Sequence, residues 1–137
     1  ADTDLLVLIG GNSWSIENEQ LRNLIAERLT NKKSVAAICG AVDYLAKNGL
    51  LTNFKHTGNA QYLWKNYTKY VNKDDFEQKQ VVRDHNLVTA NGTAPLEFTK
   101  QVLKMISFSS DEQINKDVDL YKLGFYKYCS KYGNPFK

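Results

Sequence analysis

The sequence of 137 residues predicts an α/β protein in which helices cover both faces of an open parallel sheet. Three observations favour this class. Leu5 to Ile9 form an unbroken apolar run, as strands buried on both faces do. A helical pattern separates that run from a second apolar run, Ser34 to Ile38. Glycines follow the predicted strands near residues 10, 40 and 92, where sheets of this class carry their chemistry.

The first third of the chain has the order strand, helix, strand. Gly10 to Ser13 end the first strand, and the segment from Glu17 to Leu29 follows as the first helix. Its apolar residues share one helical face: Leu21, Leu24, Ile25 and Leu29. With the strand at Ser34 to Ile38, this order predicts a right-handed βαβ unit.

A short helix is predicted immediately after Cys39, and Asn48-Gly49 can close it in the left-handed conformation. Leu50 to Thr57 is extended in character, and Asn59 to Tyr70 is typical of a short helix or a loop. Two short strands then follow at Gln80 to Asp84 and Asn86 to Ala90. Their spacing predicts a hairpin with His85 at its turn.

Two helices complete the predicted chain. Pro95 and Glu97 occupy the first turn of one helix, whose inward residues are Phe98, Val102 and Ile106. Ser110 with Gln113 forms a capping box that opens the other, which Gly133 and Pro135 end. The residues expected along the buried side of this last helix are Ile114, Val118, Tyr121 and Phe125.

Composition sets broad limits on the protein. Residues 1–137 suffice for one domain with a core that needs no disulfide. The formal net charge of +3 indicates no particular partner. Cys39 and Cys129 lie far apart in the sequence, and we expect both to be free, in a reducing, cytoplasmic compartment. No apolar run approaches the about 20 residues of a membrane span, so no membrane partner is expected.

Cys39 is the main candidate for chemistry. It lies where the apolar strand from Ser34 to Ile38 runs into small residues and then a helical pattern. A turn of this kind holds a nucleophilic side chain above a helix N-terminus, where the peptide dipoles favour the thiolate. The alternative is a small buried thiol that packs a strand end. Cys129, in an aromatic-rich helix, is interpreted as packing.

Four polar residues near the predicted crevice are further candidates. His56 follows the helix after Cys39 and, with Asn59, can reach the crevice, where imidazole is the usual base for a thiol. A strand-end histidine without catalytic function is the alternative. Asn91 ends a strand and can bind a substrate or simply build an Asn-Gly turn. Asn12, like Trp14, either lines the pocket or is structural.

Other site types are not indicated by the sequence. Two histidines and two cysteines without ligand spacing predict no metal site, and a lone Gly-Gly predicts no nucleotide cofactor. Proteins hold single-stranded nucleic acid with aromatic and basic side chains, and the segment from Tyr121 to Tyr132 contains both. Their spacing is that of an amphipathic helix, however, so we expect a packed surface helix and no nucleic-acid partner.

Three segments together resemble the ThiJ/PfpI superfamily, a flavodoxin-like group related to class I glutamine amidotransferases. They are Leu8 to Gly11, Ala36 to Ala41, and Thr89 to Phe98, and their order and spacing agree with the family across nearly the whole chain. The resemblance implies a flavodoxin-like parallel sheet between helices. It also implies that Cys39 is the nucleophile, with the N–H groups of Gly11 and Gly40 directed above its sulfur as oxyanion donors, each worth about 3 kcal/mol.

The sequence departs from the family in two places. Protease-like and glyoxalase-like members carry histidine after the cysteine, where this chain has Gly40. The family fold also begins with a βαβ unit that supplies a glutamate to the cysteine, and nothing here corresponds to it. We therefore expect the chain to be the C-terminal two-thirds of a longer domain. Either the protein is clipped and this piece stays bound to its N-terminal segment, or the sequence is only part of the intact protein. Family members also often associate as homodimers.

Three functions remain open at this stage. The first is a cysteine-dependent hydrolase of the amidase or peptidase type, acting on a small-molecule or peptide substrate, with Cys39 and His56 as catalytic residues. A group on the missing N-terminal segment is the alternative to His56 as the proton carrier. The second is a redox or carbonyl-stress sensor in which the thiol of Cys39 is oxidised. The third is a binding scaffold without turnover, which a lack of basic groups beside Cys39 would favour.

Overall fold

The computed structural model describes residues 3–137 as four strands and five α-helices. The strands are β1 (Leu5–Leu8), β2 (Ser34–Ile38), β3 (Val81–Asp84) and β4 (Leu87–Ala90). The helices are α1 (Glu19–Thr30), α2 (Gly40–Lys47), α3 (Pro95–Met105), α4 (Asp111–Leu123) and α5 (Phe125–Tyr132). Two short 3-10 turns, Gln61–Trp64 and Lys73–Asp75, lie in the long connection between α2 and β3.

The sheet has the strand order β1-β2-β4-β3. β1 and β4 each run parallel to β2, and β3 is antiparallel to β4. The carboxyl ends of β1, β2 and β4 therefore meet at one edge, which carries the glycines and Cys39. This topology confirms the predicted α/β class and the hairpin, whose turn contains His85.

Alternate residues of β2 enter two separate cores. Val35 and Ala37 pack with α1 and α2 on one face, and Ala36 packs with Phe98 and Val102 of α3 on the other. The helices thus cover both faces of the sheet, as predicted. Because β2 is buried on both sides, its carboxyl end is held rigidly where it passes into Cys39.

The end of α1 is fixed to the sheet by a buried arginine. The guanidinium of Arg28 donates to the carbonyl of Ser34 at 2.8 Å and to that of Thr3 at 3.0 Å. These bonds join α1 to the starts of β1 and β2. At the other end of α1, the Asn18 side chain accepts from the amide of Leu21 at 3.0 Å and caps the helix.

β1 forms one edge of the described sheet. Its side chains are less buried than the sequence predicted for a strand covered on both faces. Leu8 is buried, but Val7 is 40% exposed and Ile9, just beyond the strand, is 69% exposed. Within residues 3–137, β1 pairs only with β2. Its outer backbone groups are therefore open to a further strand.

The prediction of an extended segment from Leu50 to Thr57 is wrong over most of its length. Residues 48–53 form turns, in which Gly49 has φ +71° and the amide of Leu50 donates to the Leu45 carbonyl at 2.9 Å. This closure folds the chain back over the end of α2. Only His56 makes a bridge, which is parallel and pairs it with Phe76.

The predicted last helix is two helices. Gly124 separates α4 from α5 with φ +83° and ψ 163°, a conformation that essentially only glycine adopts. Ile114 and Val118 are buried as predicted. The other two residues predicted on the buried side are not buried, since Tyr121 is 77% exposed and Phe125 is 38% exposed.

Candidate active site

Cys39 connects β2 to α2 in a strained conformation. Its φ of +62° is uncommon for a residue with a side chain, and such strain is held in place only by the surrounding structure. The Cys39 amide donates to the carbonyl of Ala90 at 3.0 Å, and its own carbonyl accepts from Val42 at 3.0 Å. The result is the strand, turn and helix arrangement expected from the sequence, with the thiol partly accessible.

The sulfur of Cys39 accepts a hydrogen bond from a side-chain amide. The distance from Asn59 Nδ2 to Sγ is 3.2 Å. The orientation of this amide is set by its other end, because Asn59 Oδ1 accepts from the backbone N–H of Gly92 at 2.8 Å. A flipped amide would place its NH₂ group against that N–H, so the NH₂ group must face the sulfur.

Gly10 and Gly92 lie so close to Cys39 that a side chain on either would collide with it. A Cβ atom at Gly10 would lie 2.8 Å from the Cβ of Cys39 and 3.3 Å from its sulfur. A Cβ atom at Gly92 would lie 3.0 Å from the same sulfur. Sequence reasoning placed both glycines at this edge but assigned neither to the sulfur. Both glycines lie at strand ends beside Cys39, and this position could have indicated that they border its sulfur.

Gly11 and Gly40, predicted as oxyanion donors, lie against each other. A Cβ atom at Gly40 would be 2.8 Å from the carbonyl oxygen of Gly11. Gly40 is the first residue of α2, so its N–H has no acceptor within the helix. Gly11 has φ +151° and borders open space. The geometry brings the two residues together, and their role toward an oxyanion stays a prediction.

A small cavity of about 230 Å³ borders these glycines. Asn12 and Trp14 line it, as the sequence suggested for a pocket wall, and Trp14 is fixed by a bond from its Nε1 to the Ile9 carbonyl at 2.8 Å. Asn12 is exposed. Its contact with a substrate stays a prediction.

Asp43 also lines this cavity and was missed by sequence reasoning. Its Oδ1 accepts from Trp64 Nε1 at 2.7 Å. Burial raises the pKa of the Asp43 carboxyl, and the bond from Trp64 opposes part of that rise. The signal was an acidic residue in the first turn of the helix that begins after Cys39.

His56 does not have the position expected of a base. Its side chain is fully buried among the rings of Trp64, Tyr70 and Phe76. Nδ1 donates to the Phe54 carbonyl at 2.7 Å, so Nε2 accepts from the Tyr70 hydroxyl at 2.8 Å. Burial lowers the pKa of His56. Neither nitrogen is free to take a proton from Cys39, and the assignment of His56 as general base is not supported.

Asn91 connects two loops at the crevice. Its Nδ2 donates to the carbonyls of Gly58 at 3.2 Å and Asn59 at 3.3 Å. Its Oδ1 accepts from the amide of Thr93 at 2.9 Å and from that residue's hydroxyl at 2.8 Å. The side chain is thus used to hold Asn59 and its loop in place. A direct bond to substrate stays a prediction.

Other kinds of site can be described briefly for residues 3–137. They contain no group of three or more histidine, cysteine or acidic side chains arranged to hold a metal ion. None of the helices there is long and apolar enough to cross a bilayer. Cys39 and Cys129 are both free thiols, as predicted.

Comparisons with known proteins agree with this geometry. Residues 1–105 match the family described as the DJ-1/PfpI family. The "Uncharacterized protease YdeA" of Bacillus subtilis is 54% identical over 136 residues, which are 99% of this chain and 69% of that protein.

Two solved structures are similar in fold. The thiJ/pfpI family protein from Bacillus anthracis is 40% identical, with a TM-score of 0.76 over 90% of this chain. The DJ-1 superfamily protein Atu0886 from Agrobacterium tumefaciens is 31% identical, with a TM-score of 0.78 over 89% of this chain. The match spans 59% of the first structure and 65% of the second. These similarities confirm the predicted flavodoxin-like α/β fold.

Proposed function

The chain belongs to the DJ-1/PfpI family, and from this premise we propose that it is a cysteine-dependent hydrolase of the amidase or peptidase type with Cys39 as its nucleophile. The observation that carries the proposal is the bond from Asn59 Nδ2 to the sulfur. Hydrogen bonds to an ionised acceptor are stronger than those to a neutral one, so this bond favours the thiolate. A relative named an uncharacterized protease supports the same reaction class.

The proposed reaction starts from the thiolate. The sulfur of Cys39 attacks the substrate carbonyl carbon, a C–S bond forms, and the carbonyl electron pair moves onto oxygen. Amides of Gly40 and Gly11 are the candidate donors to this oxyanion, each worth about 3 kcal/mol. The carbonyl then re-forms, the C–N bond breaks, and the amine takes a proton from water. The hydroxide left behind attacks the thioester carbon, the C–S bond breaks to regenerate the thiolate, and the carboxylic acid releases its proton to solvent. Water carries the protons because both His56 nitrogens are already bonded.

Turnover of a panel of fluorogenic peptide amides tests this proposal. We expect wild type to cleave at least one of them and Cys39→Ala to cleave none. Iodoacetamide at pH 7 should alkylate Cys39 faster than Cys129, the other free thiol. Equal alkylation of the two cysteines, or undiminished turnover by Cys39→Ala, would contradict the proposal.

A sensor of peroxide or reactive carbonyls is the second candidate. The bonded state of both His56 nitrogens favours it, because oxidation of a thiolate needs no base. Hydrogen peroxide would supply one oxygen to the sulfur and leave as water, giving a sulfenic acid. Mild peroxide followed by intact-mass analysis separates the two functions. Oxygen retained on Cys39 alone, without turnover of the peptide panel, would favour the sensor. If Cys39 retained no oxygen and no peptide were cleaved, a binding scaffold would be the remaining function.

The open edge of β1 bears on the partners. We propose that a strand from outside residues 3–137 pairs with this edge, because Val7 and Ile9 are exposed and no described strand lies on the outer side of β1. Intact mass with and without denaturant would detect a bound segment, and sedimentation would detect the homodimer that the family resemblance implies. A monomer with rapid amide exchange along β1 would contradict the proposal. A reducing cytoplasm suits two free thiols and is part of the same proposal.

A further inference from the structure

A larger cavity lies next to Asn59. Its volume is about 600 Å³, and it is bordered by residues 57–62, 76 and 78–80, together with the turn after β4. Asn59 is part of its wall and also donates to the sulfur of Cys39 at 3.2 Å. A substrate whose carbonyl lies at the sulfur can therefore place a neighbouring side chain in this cavity.

The lining of this cavity is rich in carboxamides and nearly uncharged. Five of its residues carry carboxamides: Asn59, Gln61, Gln78, Gln80 and Asn91. None of its lining residues is acidic. The one cation is Lys79, whose ammonium is 3.0 Å from a carboxylate oxygen of Glu77. An ionic substrate group would thus lose water without gaining an unpaired charge of opposite sign.

Some of these carboxamides already have partners and others do not. Asn59 and Asn91 hold the loops together, and Gln61 Nε2 donates to the Tyr70 hydroxyl and the Lys73 carbonyl. The Gln78 and Gln80 side chains are exposed, and no side-chain bond within residues 3–137 occupies them. A free carboxamide both donates and accepts, so it can pair with a group that does the same.

We propose that this cavity binds an uncharged polar side chain, a carboxamide or hydroxyl, of the polypeptide substrate beside the attacked carbonyl. The inference rests on the hydrolase function proposed above and names the substrate class. Gln78 and Gln80 form the hydrogen bonds that select the side chain. A carboxylate of the same shape is disfavoured because it lacks the donor, and an apolar side chain because it leaves the glutamines unpaired.

Peptidyl vinyl sulfones test the selection without requiring turnover. Three N-acetyl dipeptide probes would carry glutamine, glutamate or methionine, which are similar in size, and intact mass would report labelling of Cys39. We expect the glutamine probe to label wild type about tenfold faster than either of the others. The double variant Gln78→Ala/Gln80→Ala should reduce this preference to about twofold or less. Gln20→Ala on the exposed face of α1 is the matched control and should retain it.

Several outcomes would overturn the inference. These are equal labelling by all three probes, fastest labelling by the glutamate probe, or an unchanged preference in the double variant. Iodoacetamide separates this failure from that of the hydrolase proposal. If iodoacetamide alkylates wild-type Cys39 rapidly but the probes show no preference, only the cavity assignment fails. If Cys39 resists iodoacetamide as well, the hydrolase proposal fails with it.

A binding measurement is independent of the sulfur and of any folding defect in the double variant. N-acetylglutaminamide would be titrated into Cys39→Ser while backbone amide signals are followed by NMR. We expect saturable shifts in residues 57–62 and 76–80, and much smaller shifts with N-acetylglutamate at the same concentration. Shifts confined to other parts of the chain would contradict the inference.

Discussion

Asn59 donates a hydrogen bond from Nδ2 to the sulfur of Cys39 at 3.2 Å. The two residues are 20 positions apart, and the bond forms only because the loop containing Asn59 folds over the carboxyl edge of the sheet. Gly92 fixes the amide from its other end. The environment of the nucleophile thus depends on three separate segments of the chain.

Removing the Asn59 carboxamide should slow the chemistry of Cys39. A hydrogen bond to a charged group contributes about 1.5–3 kcal/mol, so alkylation of Cys39 by iodoacetamide at pH 7 should fall about tenfold or more in Asn59→Ala. Asn59→Asp should be slower still, because it places a negative oxygen beside the thiolate. Second-order alkylation rates followed by intact mass provide the measurement.

Asn53→Ala is a suitable control for this series, since Asn53 is an exposed residue in the turns after α2. It should react at the wild-type rate. An Asn59→Ala protein that folds normally and reacts as fast as wild type would show that the bond does not activate the sulfur.

A methyl group at Gly92 should disturb both the sulfur and Asn59. The added Cβ would lie 3.0 Å from Sγ and 3.2 Å from Asn59 Oδ1, so one of them must move. We expect Gly92→Ala to cost about 1–3 kcal/mol of unfolding free energy and to slow alkylation of Cys39. Urea denaturation and iodoacetamide kinetics on the same preparation measure the two effects. Unchanged values for both would mean that the turn accommodates the methyl group without strain.

Tyr70 should contribute to stability through His56. Its hydroxyl donates at 2.8 Å to Nε2 of His56, whose side chain is fully buried. Tyr70→Phe leaves this nitrogen without a donor and should lower the unfolding free energy by about 1–3 kcal/mol. Tyr62→Phe, at an exposed position, is the matched control and should be nearly neutral. A Tyr70→Phe protein as stable as wild type would imply that another group satisfies Nε2.

Burial of His56 should make the fold sensitive to mild acid. Because burial lowers the pKa of His56 in the folded state, the unfolded chain takes up a proton first as the pH falls below its ordinary value of 6.5. The unfolding free energy should therefore decrease from pH 7.5 toward pH 5, as urea midpoints would show. His85→Gln should keep this dependence, since His85 is exposed. If His85→Gln lost the pH dependence, the dependence would be due to His85 and not to His56.

The sequence predicted those parts of the fold that repeat with a regular period. The apolar run of β2, the amphipathic α1 and the helix N-cap at Ser110 each carry their signal within a few residues, and all three lie where expected. Of the predicted capping box, only the Ser110 half forms, because the Gln113 side chain donates to Asp117. The placement of Cys39 between β2 and α2 was predictable for the same reason. Local patterns determine where strands and helices begin and end.

Features that depend on distant contacts were not predictable in this way. His56 has the same sequence signature whether it faces a crevice or a ring cluster, and its location is decided by Trp64, Tyr70 and Phe76. The bond between Asn59 and Cys39 likewise depends on how a long loop folds. Gly124 was overlooked because it interrupts an apolar pattern that otherwise continues with helical spacing.

The ionised carboxylate of Asp43 should lower the free energy of unfolding at neutral pH. Burial, the largest influence, raises the pKa of this carboxyl above its value in the unfolded chain, so folding favours the protonated form. Asp43→Asn keeps an oxygen that can accept from Trp64 Nε1 and removes the charge. The variant should therefore be more stable than wild type at pH 7, and this gain should diminish as the pH falls and Asp43 becomes protonated.

Urea midpoints at pH 7 and at about pH 3, below the ordinary carboxyl pKa, would measure the gain from Asp43→Asn. Asp74→Asn, at an exposed position in the 3-10 turn Lys73–Asp75, should show no comparable gain at pH 7. If Asp43→Asn were instead destabilised at pH 7 and less so at pH 3, the ionised carboxylate would be the favourable form. The bond to Trp64 would then outweigh the effect of burial on this residue.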